Sequence, residues 1–425
     1  MPNEKEPNQN PEQEPEESKY SFLQETIKPK PISRQQLAKH LVRMAVYGVI
    51  LGAFACLGFF ALKPWIQDVF RGDLETVSIP EDEEPQEEQT EDAEAEQPDP
   101  VLDTESYEQI MASMNERAQE ARKGIVYVEP AQASENWDAR LTGISEGVTG
   151  VITADNGQEL LILADNSVCG DVQEWTVTFQ DASTYTASLK KHDINNGLAI
   201  FSVPRGDITD ATWAAIKVSV LGNSNLVKQG DVVMALGDMF GYADGMDYGI
   251  VSSTGYKESF YDGECDVIST DIPLDANGSG VLFNIEGEVI GMISPSIWED
   301  RETSVVNAYA ISDLKSVIEL LANGESVPYI GIYGTTVTHE LQETQGMPAG
   351  IYVVDVDPDS PAMAAGIQSG DIICRVDGED VTSIGTYQQA VLETETGDMI
   401  RLVGQRLGTD GYVDVNFDVT VGSNE

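Results

Sequence analysis

Histidine is nearly absent from this chain. Only His40, His192 and His339 occur in 425 residues. Neither an HExxH helix nor a Cys/His cluster can be built from them, so metal-assisted hydrolysis has no ligand set, and no residue pattern asks for a cofactor. Basic residues are scarce too. The 24 Lys and Arg stand against 73 Asp and Glu, a formal charge of −49. That excludes a nucleic-acid partner, because phosphate recognition needs basic patches. Four cysteines are too few for a disulfide scaffold. Cys56 lies in an apolar run, and Cys169, Cys265 and Cys374 are far apart in sequence, as small buried thiols would be.

What remains is ample for folding: the length allows two or three domains, and 41% hydrophobic content suffices for their cores. Residues 1–40 open with a Pro-, Glu-, Gln- and Asn-rich stretch without hydrophobic periodicity, expected to form a largely disordered tail. Met44–Leu62 carries no charge and as a helix would span about 28 Å. Lys28, Lys30, Arg34, Lys39 and Arg43 precede it and an acidic block follows. The positive-inside rule therefore predicts a signal anchor over 41–63, with the amino terminus cytoplasmic and everything beyond extracytoplasmic. Residues 64–103 read as an acidic linker whose stretch 75–100 repels itself in solvent.

Thr104–Arg122 has the spacing of an amphipathic helix, with Ile110, Met111, Met114 and Ala118 on one stripe. From Gly124 the pattern changes to short strands: GIVYVE, TGVITA, ELLILA, EWTVTF, LAIFSV, DVVMALG, YGIVSS and GEVIGMIS. Many short strands at regular spacing argue for a β-barrel or sandwich rather than βαβ units. Ala310–Leu321 reads as a closing helix with Ser312 at its N-cap and Asn323-Gly324 as its stop. A final unit of about a hundred residues mixes strands with two short helices.

Several of these segments, in order, resemble the HtrA-type serine proteases: Leu221-Gly-Asn-Ser-Asn, Gly230–Gly237, Tyr248–Ser252, Thr270-Asp271 eight positions before Ser279, and Gly287–Gly291. The resemblance implies a mainly β chain: a chymotrypsin-like double β-barrel over 104–324 followed by a PDZ domain over 325–425. It also locates a triad. The family's Thr-Asn-Asn-His-Val segment falls on Ala164–Val168, which puts Ser167 at the histidine position. Its Thr-Asp-Leu-Ala-Val segment falls on Asn196–Ile200, which puts Gly197 at the aspartate position. Its Gly-Asn-Ser-Gly-Gly-Pro-Leu segment falls on Asn277–Val281, leaving Ser279 as the one preserved member in a shortened oxyanion loop.

A serine hydroxyl needs a base of suitable pKa to become a nucleophile, and neither Ser167 nor Gly197 supplies or orients one. His192, Lys190 and Lys191 are the only rescuing groups near these segments in sequence. Ser279 in Asn277–Gly280 also reads as a small residue in a tight turn. Two readings stay open: a pseudoprotease, and an atypical active endopeptidase that uses Ser279. A third class is a structural envelope protein with the barrels as spacer.

Tyr329-Ile-Gly-Ile332 and Gly350–Ile373 are similar to an HtrA-type PDZ domain. By that resemblance Tyr329, Ile330, Gly331 and Ile332 offer backbone N–H groups to a C-terminal carboxylate, while Ile332 and Ala390 line the pocket for the last side chain. The partners implied are peptide or protein C-termini, in a sensor or adaptor role, and the resemblance also implies a homotrimer.

Overall fold

The computed structural model describes residues 47, 75–82, 103–131, 147–170, 172–275, 277–294 and 304–425. The chain divides into two units, Met1–Gly72 and Asp73–Glu425. Of the first only Tyr47 is described, so the predicted tail and most of the predicted anchor lie outside the described residues. Among the described residues no helix is long and apolar enough to cross a membrane.

The first helix of the second unit is α1 (Thr104–Arg122), capped by Asp103, whose side chain accepts from Ser106 N. Its stripe is buried at Ala118 alone, and Ile110 is half exposed, since only the last turn of the helix reaches the barrel cores.

Six strands then close the first barrel in the order β1-β2-β3-β6-β5-β4. They are β1 (Ile125–Pro130), β2 (Val148–Asp155), β3 (Glu159–Asp165), β4 (Trp175–Thr178), β5 (Thr184–Asp193) and β6 (Leu198–Pro204). After a short helix α2 (Asp210–Ala215), six more close the second, in the order β10-β11-β12-β9-β8-β7. These are β7 (Val232–Gly237), β8 (Gly245–Phe260), β9 (Gly263–Pro273), β10 (Gly280–Phe283), β11 (Val289–Ile293) and β12 (Val305–Ala310).

Strand β3 shows how sequence makes this arrangement. Alternate side chains leave opposite faces of a strand. Leu160 and Ile162 pack inside the first barrel, while Leu161 and Leu163 join a core shared with Met234, Leu236 and Phe283 of the second barrel. A strand buried on both faces reads as a continuous apolar run, as ELLILA does.

Helix α3 (Ile311–Ala322) seals that shared core with Ile311, Leu314, Val317, Ile318 and Leu321. Its N-cap is Ala310, without a side-chain bond, and not Ser312 as expected. Ser312 is spent elsewhere: its hydroxyl accepts from Ser224 N at 2.9 Å and donates to Asp82 at 2.6 Å. Asp82 belongs to the stretch expected to be a solvated spacer, yet residues 75–82 lie docked along α3. Asn323 exchanges two hydrogen bonds with the Val77 backbone, and Asp82 pairs with Lys315 at 2.6 Å in a largely buried ion pair.

The last sheet runs β13-β14-β15-β17-β18, with β16 on β15. Its strands are β13 (Ile332–Thr336), β14 (Ile351–Val356), β15 (Asp371–Val376), β16 (Glu379–Asp380), β17 (Met399–Gly408) and β18 (Gly411–Thr420). Three short helices accompany it rather than two: α4 (His339–Gln345), α5 (Pro361–Ala365) and α6 (Ile384–Leu392). The extra one, α5, is a single turn begun by Pro361 and ended at Gly366, too short for periodicity to show.

Candidate functional site

The expected histidine and aspartate positions lie on turns of the first barrel, after β3 and before β6, and Ser279 lies just before β10 of the second. Asn166–Val168 forms one turn of 3-10 helix after β3, with Asp165 accepting from Ser167 N at 2.8 Å. Asn166 N donates to Gly197 O at 3.0 Å, so the segments carrying the histidine and aspartate positions are held side by side. Ser294, at the end of β11, donates to Asp165 and ties this turn to the second barrel. The position expected to hold the histidine is thus an exposed serine, Ser167, and the one expected to hold the aspartate is a glycine, Gly197, at φ +68°.

Ser279 belongs to a different network. It is 2% exposed, and its hydroxyl faces β2. Oγ accepts from Thr149 N at 2.8 Å and donates to Thr149 Oγ1 at 3.3 Å. Thr149 Oγ1 donates to Ser279 O at 3.1 Å and accepts from Asp238 N at 2.8 Å. Ser279 N donates to Asp238 O at 2.9 Å. The serine is a buried staple between barrels. The two lysines are engaged elsewhere: Lys190 pairs with Glu159 at 2.6 Å, Lys191 with Glu425 at 2.7 Å and Ser326 at 3.0 Å. His192 lies in β5 opposite Ala199, and its buried Nδ1 has no partner among the described residues. His339 is exposed beside Glu343 on α4. Asn277 lies in a turn just before Ser279, where Gly278 N donates to Asp275 O at 2.9 Å, and neither Gly278 nor Gly280 adopts a left-handed backbone.

Asp193 closes the turn before Gly197, accepting from Asn196 N at 2.7 Å and Asn196 Nδ2 at 2.6 Å. Burial pushes its carboxyl up to about 6, against these two donors, with Glu425 and Asp262 adding to the rise. A carboxyl raised in the fold is harmless below its unfolded pKa and destabilises as pH climbs through the folded one. Linkage puts the loss at about 3 kcal/mol between pH 4 and 6. Asp193→Asn should therefore melt higher than the parent at pH 7 and equally at pH 4; a pH-independent difference would refute this.

Ile330, Ile332 and Ala390 share one core in the last domain. Ile330, Gly331 and Ile332 form a bend into β13, and Ala390 lies on α6 across from it in the same core. Tyr329 turns its hydroxyl to Asp357 at 2.7 Å and pairs its backbone with Gly422 instead, so its N–H is not part of the loop's donor set. The three following N–H groups converge on one carboxylate, that of Asp262: Ile330 N at 2.7 Å, Gly331 N at 2.6 Å and Ile332 N at 2.9 Å. Sequence reasoning missed Asp262, since Tyr-Asp-Gly at a hairpin signals only a turn. Among the described residues no group of three or more His, Cys, Asp or Glu is placed to hold a metal ion. The three described cysteines are free, and burial raises the Cys169 thiol to about 12.

Two six-stranded barrels packed on a shared core are the architecture of a trypsin-like domain. A trypsin-like peptidase family model matches residues 148–292, and a PDZ model matches 328–419. The chain thus carries an HtrA/DegP-like trypsin-like serine protease domain followed by a PDZ domain. It is 28% identical over 264 residues to a probable periplasmic DegP-like serine endoprotease of Marinomonas, covering 60% of this chain and 54% of that one. With the periplasmic pH-dependent serine endoprotease DegQ of Escherichia coli it shares 27% over 303 residues, 70% and 62% of the two chains. Serine protease HTRA3 of Homo sapiens is 29% identical over 252 residues, covering 54% and 52%. The chain spans about half the length of the first curated relatives it matches. In fold it is similar to the HtrA-type protease AlgW, solved with a decapeptide, at a TM-score of 0.52 and 21% identity over 73% of this chain and 99% of that one.

Proposed function

We propose that this protein is a membrane-anchored, extracytoplasmic pseudoprotease of the HtrA type that recognises peptide or protein C-termini through its PDZ domain. The observation that carries the reading is the contrast between its two sites. The Ser279 hydroxyl places its hydrogen bonds on Thr149, with no base in contact among the described residues, while three consecutive N–H groups at 330–332 already hold a carboxylate. A backbone nest that binds one carboxylate has the chemistry to bind another. The uncharged run 44–62 with its basic approach supports the anchor, and the periplasmic relatives support the side of the membrane. Sensor or adaptor is the role left to such a chain, with 1–40 as tail, 64–103 as linker, 104–324 and 325–425 as the two domains, and a homotrimer as its assembly.

Binding of the purified full chain to peptides with a free C-terminus, and not to the same peptides amidated, is the expected result. Gly331→Ala should weaken that binding at least about tenfold. Gly331 has φ +90°, and a Cβ there would stand 2.4 Å from Ser360 Cβ, so the nest would be forced open. Equal capture of amidated peptides would refute carboxylate recognition.

A further inference from the structure

The β8–β9 hairpin of the trypsin-like domain ends in the turn Tyr261-Asp262, between the paired residues Phe260 and Gly263. Asp262 has φ +61°, a left-handed conformation that Asp tolerates and Gly prefers. Its carboxylate enters the PDZ nest. Oδ2 accepts from Ile330 N and Gly331 N, while Oδ1 accepts from Ile332 N and, at 2.7 Å, from the Tyr387 hydroxyl of α6. The main chain takes part as well: Asp262 N donates to Ile332 O at 2.7 Å. Strand β13 pairs with β14 on one side only, so Ile332 O lies on the open edge where a peptide strand would add. Asp262 thus makes the contacts expected of a peptide's last residue, carboxylate in the nest and N–H on the first carbonyl of the edge.

The hairpin tip is held from three sides. Tyr261 meets Tyr329 and Tyr333 edge-on, at ring separations of 6.4 and 6.0 Å. Asn195 Nδ2 donates to Tyr261 O at 2.6 Å, and Glu264 N donates to Gln388 Oε1 of α6 at 3.2 Å. Among the described residues no Lys or Arg pairs with Asp262, which is 6% exposed. Burial raises this carboxyl above the usual carboxylate range against four donors that pull it back. A buried charge without a cation is returned to water on opening, so the contact is poised rather than locked.

We propose that Asp262 is an internal pseudo-ligand of the PDZ carboxylate nest, so that a C-terminal peptide enters only by displacing the β8–β9 hairpin. The inference rests on the peptide-binding reading above and adds its regulation. Peptide capture by the PDZ domain and release of the trypsin-like domain's hairpin become one event. The incoming carboxylate replaces an equivalent one in the same nest. The net driving force then comes from the peptide's added strand and its last side chain, and ligands are selected on those. The apparent affinity of the parent is reduced by the fraction of time the nest is open.

The test uses the full chain in detergent and a pool of fluorescein-labelled decapeptides ending in free Val, Leu or Phe, read by anisotropy. Asp262→Gly keeps the left-handed turn and removes the carboxylate; Asp262→Asn keeps the size and removes the charge. Both should bind the free-acid pool at least about tenfold more tightly than the parent, as expected when a closed population is released. Hydrogen exchange should show the 330–332 amides losing protection in Asp262→Gly without peptide. Equal affinity in parent and both variants would overturn the pseudo-ligand while leaving peptide binding standing. Loss of amide protection with no binding by any variant would overturn the peptide-binding reading itself. Unchanged protection in Asp262→Gly would overturn the placement of the carboxylate in the nest.

Discussion

Casein incubated with the purified full chain should remain intact, and Ser279→Ala should alter stability but not turnover. In a serine protease with an intact triad, removing the base alone lowers turnover on the order of a million-fold. Here the geometry adds two further losses. Chymotrypsin-fold proteases aim the nucleophile's own backbone N–H at the developing oxyanion; Ser279 N instead donates to Asp238 O at 2.9 Å. The hydroxyl is bound to Thr149 rather than open to the turn that carries Ser167. For the same reason Ser167→His should not restore activity by itself, since the new imidazole would find Oγ facing β2. A fluorophosphonate probe should leave the chain unlabelled. Labelling of the parent that vanishes in Ser279→Ala would show that the serine swings out to a hidden base, and would establish the active-endopeptidase reading. Ser279→Ala should also lower stability by about 1–3 kcal/mol, because the buried Thr149 N–H loses its acceptor.

The sequence made the architecture legible where both faces of a strand are apolar or where a motif is local. Strands β2, β3 and β6 show themselves as Val-, Ile- and Leu-rich runs, and the PDZ unit by its Tyr-Ile-Gly-Ile and Gly350–Ile373 stretches. Strand β5 is polar and mostly half-exposed, and only its last residues drew notice. Strand β8 runs for 16 residues but buries only Val251, so just its YGIVSS portion has a strand's signature. Helix α1 was placed to the residue, whereas its stripe overstated the burial, because periodicity tells which side chains share a face and not how far along that face a neighbour extends. Docking of residues 75–82 was hidden by composition: an acidic run reads as solvated, and its one decisive cation, Lys315, lies 233 positions away.

The candidate sites divide the same way. The expected triad positions could be assigned because each is a short motif in a fixed order. What became of the remaining serine could not, since Thr149 is 130 residues distant and an ordinary threonine in any local window. Asp262 lies 68 to 70 positions before the amides it binds, and its local sequence is complete in itself as a hairpin turn. Long-range hydrogen bonds to backbone leave no trace in side-chain pattern. The nest was legible and its occupant was not.

Gly237→Ala should be among the most damaging single substitutions in the trypsin-like domain, destabilising by about 3–5 kcal/mol and lowering the melting temperature by roughly 10 °C. Gly237 ends β7 at φ +138°. A Cβ there would stand 2.6 Å from Thr149 Oγ1, 2.7 Å from Gly280 Cα and 2.8 Å from Ser279 O. Two of these are backbone and the third is the hub of the inter-barrel network, so none can yield cheaply. Gly287→Ala is the control. It also has a positive φ, +85°, but meets nothing within 4 Å, and should cost only about 1 kcal/mol of backbone strain. Equal losses in the two would show that conformation, not crowding at the seam, makes Gly237 a glycine. Crowding also predicts coupling. If the methyl group acts by breaking the Thr149–Ser279 bonds, Gly237→Ala and Ser279→Ala should be less than additive, because each removes what the other depends on. Full additivity would separate the glycine from the serine. Sub-additivity would mean that the position that carries the nucleophile in a protease now joins the barrels in this chain.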